Sequence, residues 1–389
     1  MWEPLLVFLM FCRSSQAFTN RMHSTRRSPL GIVHTFSGMD IDRSRVEAEL
    51  KEASAFQNAL RSHGAAFALF HGTSALVITD SPMKLAFHDA EKLQTLYEIS
   101  LQQFEPSLTC ISNDVGNSIP IYPCIALGAS ASGWAFAVDV SNRSRNEFEV
   151  KNEAEGNLRF EPVRALLATL NQRDIAMAGL GASTLAWHRQ HQFCGLCGSR
   201  MVAVEAGGRR ACTSETCRNR AYPRVDPVVI ALVQDPVRDK ILLGRQSVYR
   251  PMMYSCLAGY VGPCESLEEA VRREVKEESG IDVGEMSYHS SQPWPIGRGA
   301  SCQMMVGFTA TATSTEIHID TNELEDCRWF SRAEVAEAEE LVVARRPGPS
   351  DESSKTLSIP GPYAIAHHLI KNWLSTTKAP LQASGRNKL

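Results

Sequence analysis

Neither sign of charge is in clear excess: 40 Lys and Arg against 43 Asp and Glu leave a formal net charge of -3 over 389 residues. A balance this close excludes a chain whose binding to nucleic acid or to a membrane surface rests on its overall field. There is no apolar run long enough to cross a bilayer, so no membrane partner is expected. No 33-residue period recurs, which excludes an ankyrin-type array. The 11 cysteines are scattered. Only four of them have paired spacing, which argues against a secreted disulfide framework and for free thiols plus one metal site in a reducing compartment. What is present is a globular composition, 43% hydrophobic and 21% charged, in a chain long enough for two or three domains with their own cores.

The stretch richest in chemistry runs from Gly259 to Ile281, G-Y-V-G-P-C-E-S-L-E-E-A-V-R-R-E-V-K-E-E-S-G-I. Ser266 with Glu269 three residues on predicts a capping box, and Gly280 stands where a helix ends. Leu267, Ala270, Val271 and Val275 form an apolar face, and Glu274, Glu277 and Glu278 share a face at i, i+3 and i+4. Three carboxylates this close repel one another unless a cation neutralises them, and a hard divalent metal that also grips phosphates suits them. A merely solvated acidic face is the ordinary reading of a charge run, but the spacing rejects it. The segment fits G-x5-E-x7-R-E-U-x-E-E-x-G-U (U aliphatic) at every fixed position, from Gly259 and Glu265 to Gly280 and Ile281, a match expected by chance in roughly one chain of this length in ten million. It resembles the Nudix box, which implies Mg2+- or Mn2+-assisted hydrolysis of a nucleoside diphosphate linked to another group.

Upstream, Cys194-Gly-Leu-Cys197 and Cys212-Thr-Ser-Glu-Thr-Cys217 are two cysteine pairs that suit four tetrahedral thiolates around a structural zinc. A closed site of this kind leaves no position for a substrate. The alternative is two disulfides or loose thiols. Six segments are expected around these motifs. Residues 1–30 read as a presequence or an untranslated stretch, 31–165 as a strand-rich N-terminal domain, and 166–190 as a linking helix. That helix extends the apolar pattern from about Glu161 and breaks near Gly179-Leu180-Gly181. Residues 191–221 form a zinc ribbon, 222–377 the catalytic domain, and 378–389 a tail. In the catalytic domain, Val/Ile-rich strands are expected from Val228 to Val233 and Ile241 to Arg245. Further strands are expected at Met304–Phe308, Glu316–Ile319 and Cys327–Phe330, with closing helices at about Arg332–Val342 and Tyr363–Ser375. The fold class is α+β, a mixed sheet sandwiched between helices.

The ribbon, Tyr222-Pro-Arg-Val-Asp-Pro-Val, the Gly259–Ile281 segment and Ser291-Gln-Pro-Trp-Pro295 occur in one order that resembles the NADH pyrophosphatase (NAD-capped RNA hydrolase) branch of the Nudix hydrolases. The C-x4-C second pair is similar to the eukaryotic peroxisomal form, whose ankyrin repeats are missing here. The resemblance implies hydrolysis of NADH, and less efficiently NAD+, to nicotinamide mononucleotide and AMP, together with removal of NAD caps from RNA. It implies that Glu274, Glu277 and Glu278 hold Mg2+ or Mn2+, with Glu323 as an added ligand and Glu277 or Glu274 orienting the attacking water. It gives Arg273 the task of fixing a helix carboxylate. Tyr222 and Tyr260 become ring-stacking residues, while Gln292, Trp294 and Ala366 become pocket residues. It also implies a homodimer. The Ile296–Gln303 segment is about four residues longer than the family pattern, so a preference for another diphosphate such as ADP-ribose is the alternative. A zinc-ribbon binding module without catalysis is the alternative from a different class. Asn387-Lys388-Leu389 resembles a peroxisomal address; the N-terminal segment would instead direct the chain to a mitochondrion or plastid, and without either it stays in the cytoplasm.

Overall fold

The computed structural model describes residues 35–36, 41–105, 122–149, 151–152, 156–297, 299, 301–344 and 356–376. The expected presequence and the Asn387–Leu389 tail lie outside them.

The N-terminal part is built on a nine-stranded sheet. Its main strands are β1 (Ala66–His71), β2 (Ser74–Ile78), β3 (Tyr122–Ser130), β4 (Gly133–Asp139) and β5 (Gly156–Pro162) in the order β3-β4-β1-β2-β5, with two-residue strands at its margins. β1 and β4 run parallel, whereas β1–β2 and β3–β4 are antiparallel. Strands β1, β2 and β4 are buried along almost their whole length because both faces are covered. One face packs against α1 (Ser44–Glu49), α2 (Ala53–Leu60) and α3 (Ala90–Tyr97), the other against α4 (Gln172–Gln190).

The linking helix departs from expectation at both ends of its pattern. Val163–Ala168 is a 3-10 turn, and α4 starts only after Asn171, whose side chain accepts from the Asp174 amide. Near Gly179 and Gly181, α4 is unbroken. A Cβ at Gly179 would lie 2.5 Å from Pro295 and one at Gly181 2.5 Å from Phe70, so these glycines permit close packing rather than a bend.

Between the two large sheets sits a three-stranded ribbon, β6 (Met201–Val204), β7 (Arg209–Cys212) and β8 (Arg220–Ala221). It is fastened to α4 by a fully buried polar contact. The Arg210 guanidinium lies 3.1 Å from His188 Nδ1 and donates to the Met201 carbonyl, and His188 Nε2 is 2.8 Å from the Gly207 carbonyl. Burial pushes the His188 pKa down to about 4, so the ring is neutral, accepts from Arg210 and donates to Gly207.

The C-terminal sheet has six strands: β9 (Val225–Asp235), β10 (Lys240–Arg245), β11 (Leu257–Tyr260), β12 (Val283–Trp294), β13 (Cys302–Ala312) and β14 (Asp326–Ser331). The order is β12-β13-β9-β10-β14, with β11 also pairing β9. β9 and β13 are parallel from Val225↔Cys302 to Gln234↔Thr311, and the remaining pairs are antiparallel. Helix α5 (Leu267–Ser279) buries Ala270, Val271 and Val275 on one face, and α6 (Arg332–Ala344) and α7 (Ile365–Ser375) cover the other. This is the expected α+β sandwich.

Two local readings change. Glu316–Ile319 is not a strand. The His318 amide instead donates to the Ser279 carbonyl at the end of α5. Conversely, Val283–Trp294 forms a long edge strand that apolar alternation does not announce, because it is exposed over much of its length and carries two register shifts.

Candidate active site

Helix α5 begins and ends as its residues dictate. Ser266 and Glu269 form the reciprocal capping box, and Gly280 closes the helix at φ 73°, a left-handed conformation that glycine adopts without strain. With its apolar face against the sheet, the helix turns its carboxylates toward the end of β11, and their environments diverge sharply. The Glu278 residue is 4% exposed, whereas the Glu277 side chain is 54% exposed. Glu278 Oε2 is buried without a hydrogen-bond partner. Burial, followed by the charges of Glu274 and Glu323, pushes the Glu278 pKa up to about 8. Glu274 is raised as well, mainly by burial and despite Arg273 beside it, with Glu277 and Glu323 adding to the rise. Glu323, from the turn before β14, is near enough for its charge to act on both. A buried carboxylate oxygen with no donor, within reach of other carboxylate charges, is the kind of ligand that a hard divalent cation satisfies.

Arg273 organises the rest. Its guanidinium takes both oxygens of Glu265 at 2.7 and 2.8 Å, Glu274 and Glu277 at 2.8 Å each, and the Tyr260 carbonyl at 2.9 Å. The hydrogen bond from Arg273, with another from the Gly262 amide, holds the Glu265 pKa at about 2. Arg273 is itself raised above the usual guanidinium value by these bonds, first of all the one to Glu265. Glu265 is thus the brace that sequence reasoning matched to the motif without giving it a task. Gly259 is a second such residue. A Cβ there would fall 1.9–2.1 Å from the Glu274 carboxyl atoms, so only glycine lets that group lie against β11.

The five expected pocket residues are spread more widely. Tyr260 is half exposed, and its hydroxyl accepts from Gln303 Nε2 at 2.5 Å. Tyr222 is exposed, with Arg209 over its ring at 5.8 Å. Gln292 is fully buried; its amide donates to the Tyr363 carbonyl and accepts from the Ile365 amide, so it anchors the start of α7. Trp294 meets Phe36 edge-on at 5.8 Å, and Ala366 is buried in α7.

The four cysteines of the ribbon converge. All four Sγ atoms lie within 4.8 Å of one another, with Cys194–Cys217 at 3.7 Å and Cys197–Cys212 at 3.5 Å. Four thiolates about 2.3 Å from a tetrahedral zinc would be about 3.8 Å apart, so the cluster fits a four-thiolate ion and the disulfide alternative does not hold. Asn219 Nδ2 donates to Cys194 Sγ at 3.3 Å and, with the backbone amides of Cys197 and Leu196, brings that thiol down to about 6.

Comparison with known proteins places this geometry. A family model described as NUDIX domain matches residues 224–348. Nudix hydrolase 19, chloroplastic, of Arabidopsis thaliana is 47% identical over 248 residues, covering 56% of this chain and 57% of the relative. Human NAD-capped RNA hydrolase NUDT12 is 39% identical over 246 residues, 61% of this chain and 50% of the relative. Human NAD(P)H pyrophosphatase NUDT13, mitochondrial, is 34% identical over 347 residues, 86% of this chain and 91% of the relative. The chain thus spans about half the length of the first two and nearly all of the third.

Proposed function

We propose that this chain, which belongs to the Nudix family and to its NADH pyrophosphatase branch, hydrolyses the diphosphate of NADH and NAD+ to nicotinamide mononucleotide and AMP and removes NAD caps from RNA. The observation that carries the reading is the buried Glu278 carboxylate, one oxygen of which has no hydrogen-bond partner and which feels the charges of Glu274 and Glu323, on a helix braced by Arg273. Glu274, Glu277, Glu278 and Glu323 would hold Mg2+ or Mn2+, which when bound neutralises the diphosphate and acidifies a water. The chain's own contribution is orientation. Arg273 fixes Glu274 and Glu277, and the more exposed Glu277 or the more buried Glu274 takes the proton of the attacking water. Tyr260 and Tyr222 offer ring faces, and Gln292, Trp294 and Ala366 shape the wall behind them. The cysteine cluster holds zinc and does no chemistry. A homodimer is proposed from the family resemblance. An organelle is the proposed location, since relatives named chloroplastic and mitochondrial are similar to this chain.

Product analysis tests the reading. Purified full-length protein with Mg2+ or Mn2+ is expected to release AMP and reduced nicotinamide mononucleotide from NADH faster than it cleaves ADP-ribose. Equal or faster ADP-ribose cleavage would point to the long Ile296–Gln303 segment and the alternative substrate. Gly259→Ala reads the geometry directly. Displacing the Glu274 carboxylate by about 1 Å should lower kcat/KM by about 100-fold. Wild-type kinetics in that variant would show that Glu274 does not need its place against β11.

A further inference from the structure

A cavity of about 930 Å3 opens where α1, α4, the ribbon and the C-terminal sheet meet, at the large end of the ~300–1,000 Å3 usual for small-molecule sites. Tyr260 connects it to the catalytic helix, since that residue lines the cavity while its carbonyl binds Arg273. The remaining lining belongs to neither the carboxylate cluster nor the cysteine cluster. Arg43 and Arg224 supply two guanidiniums. Arg224 uses Nε on Asp226 and has its side chain 77% exposed, and Arg43 has no side-chain ion pair or hydrogen bond among the described residues. Thr184 adds a hydroxyl from α4, while the buried Ser183 hydroxyl donates back to the Leu180 carbonyl. Trp187 of α4 and His191, just past its end, stack at 5.1 Å and 29°, and Trp187 Nε1 is a buried donor without a partner. Glu47, one turn along α1 from Arg43, is the opposing charge; Asp226 is spent on Arg224.

Cations, hydroxyls and aromatic rings in one cavity are the groups that bind a ribonucleotide: phosphate, ribose and base. A free dinucleotide placed at the carboxylates ends at its two nucleosides, whereas a capped RNA continues through a 3′ phosphodiester. We propose that this cavity is a subsite for the RNA leader, taking the first nucleotide beyond the capped adenosine, with Arg43 on its phosphate. The inference rests on the proposed diphosphatase reading for its substrate, but its test does not need hydrolysis.

The probe is a 5′-phosphorylated hexaribonucleotide with a 3′ fluorophore, titrated by anisotropy with the full-length, zinc-loaded chain. Arg43→Glu is expected to weaken binding at least about tenfold and to shrink the slope of log K against log salt by about 0.7, one single-strand phosphate contact. Glu47→Gln should tighten binding two- to threefold. Thr184→Trp, at a half-buried position, should block the cavity without touching either charge. Wild-type affinity in both Arg43→Glu and Thr184→Trp would overturn the proposal. NADH hydrolysis measured alongside separates the two readings. Hydrolysis without Arg43-dependent RNA binding sinks the subsite alone. Arg43-dependent binding without hydrolysis sinks the diphosphatase reading and leaves an RNA site.

Discussion

Glu278→Gln should lower kcat/KM for NADH by about 10^2- to 10^4-fold while leaving the metal-free fold as stable as the parent or more so. Loss of a charged ligand removes the cation's grip on the diphosphate, and effects of this size accompany removal of positioned catalytic groups. The stability half of the expectation follows from burial. In the parent, Glu278 has its pKa raised to about 8, with one oxygen unpartnered. A carboxyl whose folded pKa is raised above the unfolded value of about 4.5 contributes stability below that value and loses it as pH climbs through about 8. Metal-free wild type should therefore lose Tm between pH 6 and pH 9 more steeply than Glu278→Gln, and Mn2+ should restore Tm only in the parent. Thermal scans at the two pH values with and without Mn2+, alongside kcat/KM, read both halves. A variant that kept near-parental turnover would show that Glu278 is a core residue and not a ligand.

Cys197→Ser should empty the ribbon of zinc and unfold it. Cys197 is the most informative of the four because it is exposed, so losing its sulfur removes a ligand without opening a core cavity; Cys194, at 3% exposure, would confound the two. Structural zinc in small folds contributes about 10–16 kcal/mol of binding that is also folding energy, so three ligands should not keep the ribbon ordered. The damage should reach further than the ribbon, because Arg210 and Gly207 fasten it to His188 on α4. Metal analysis should give one zinc per chain in the parent and none in the variant, and limited proteolysis should open new cleavage between residues 191 and 221. A zinc-free variant that resisted protease there would mean that the buried Arg210–His188 contact holds the ribbon by itself.

Much of this protein was determined by short-range patterns in the chain. The capping box at Ser266 and the left-handed Gly280 depend on hydrogen bonds between residues three or four apart, which the local sequence encodes. The strands at Val225–Asp235 and Lys240–Arg245 announce themselves through apolar runs that need both faces covered. The cysteine pairs are legible for a similar reason, since each pair sits on its own short turn. Tertiary structure alone decided the rest. By spacing, Glu274, Glu277 and Glu278 are one helical face. Packing of α5 on the sheet buries Glu278 and leaves Glu277 in water, so desolvation separates carboxylates that periodicity treats alike. Arg273 serves Glu265, eight residues away, and the Tyr260 carbonyl across the loop as fully as its neighbours on the helix. Gly259 is required by a carboxylate from another element. The cavity gathers residues from Arg43 to Cys302, a separation over which no periodicity runs. Local hydrogen bonding is written in neighbouring residues, whereas burial, and with it charge, is set by whatever the fold lays against them.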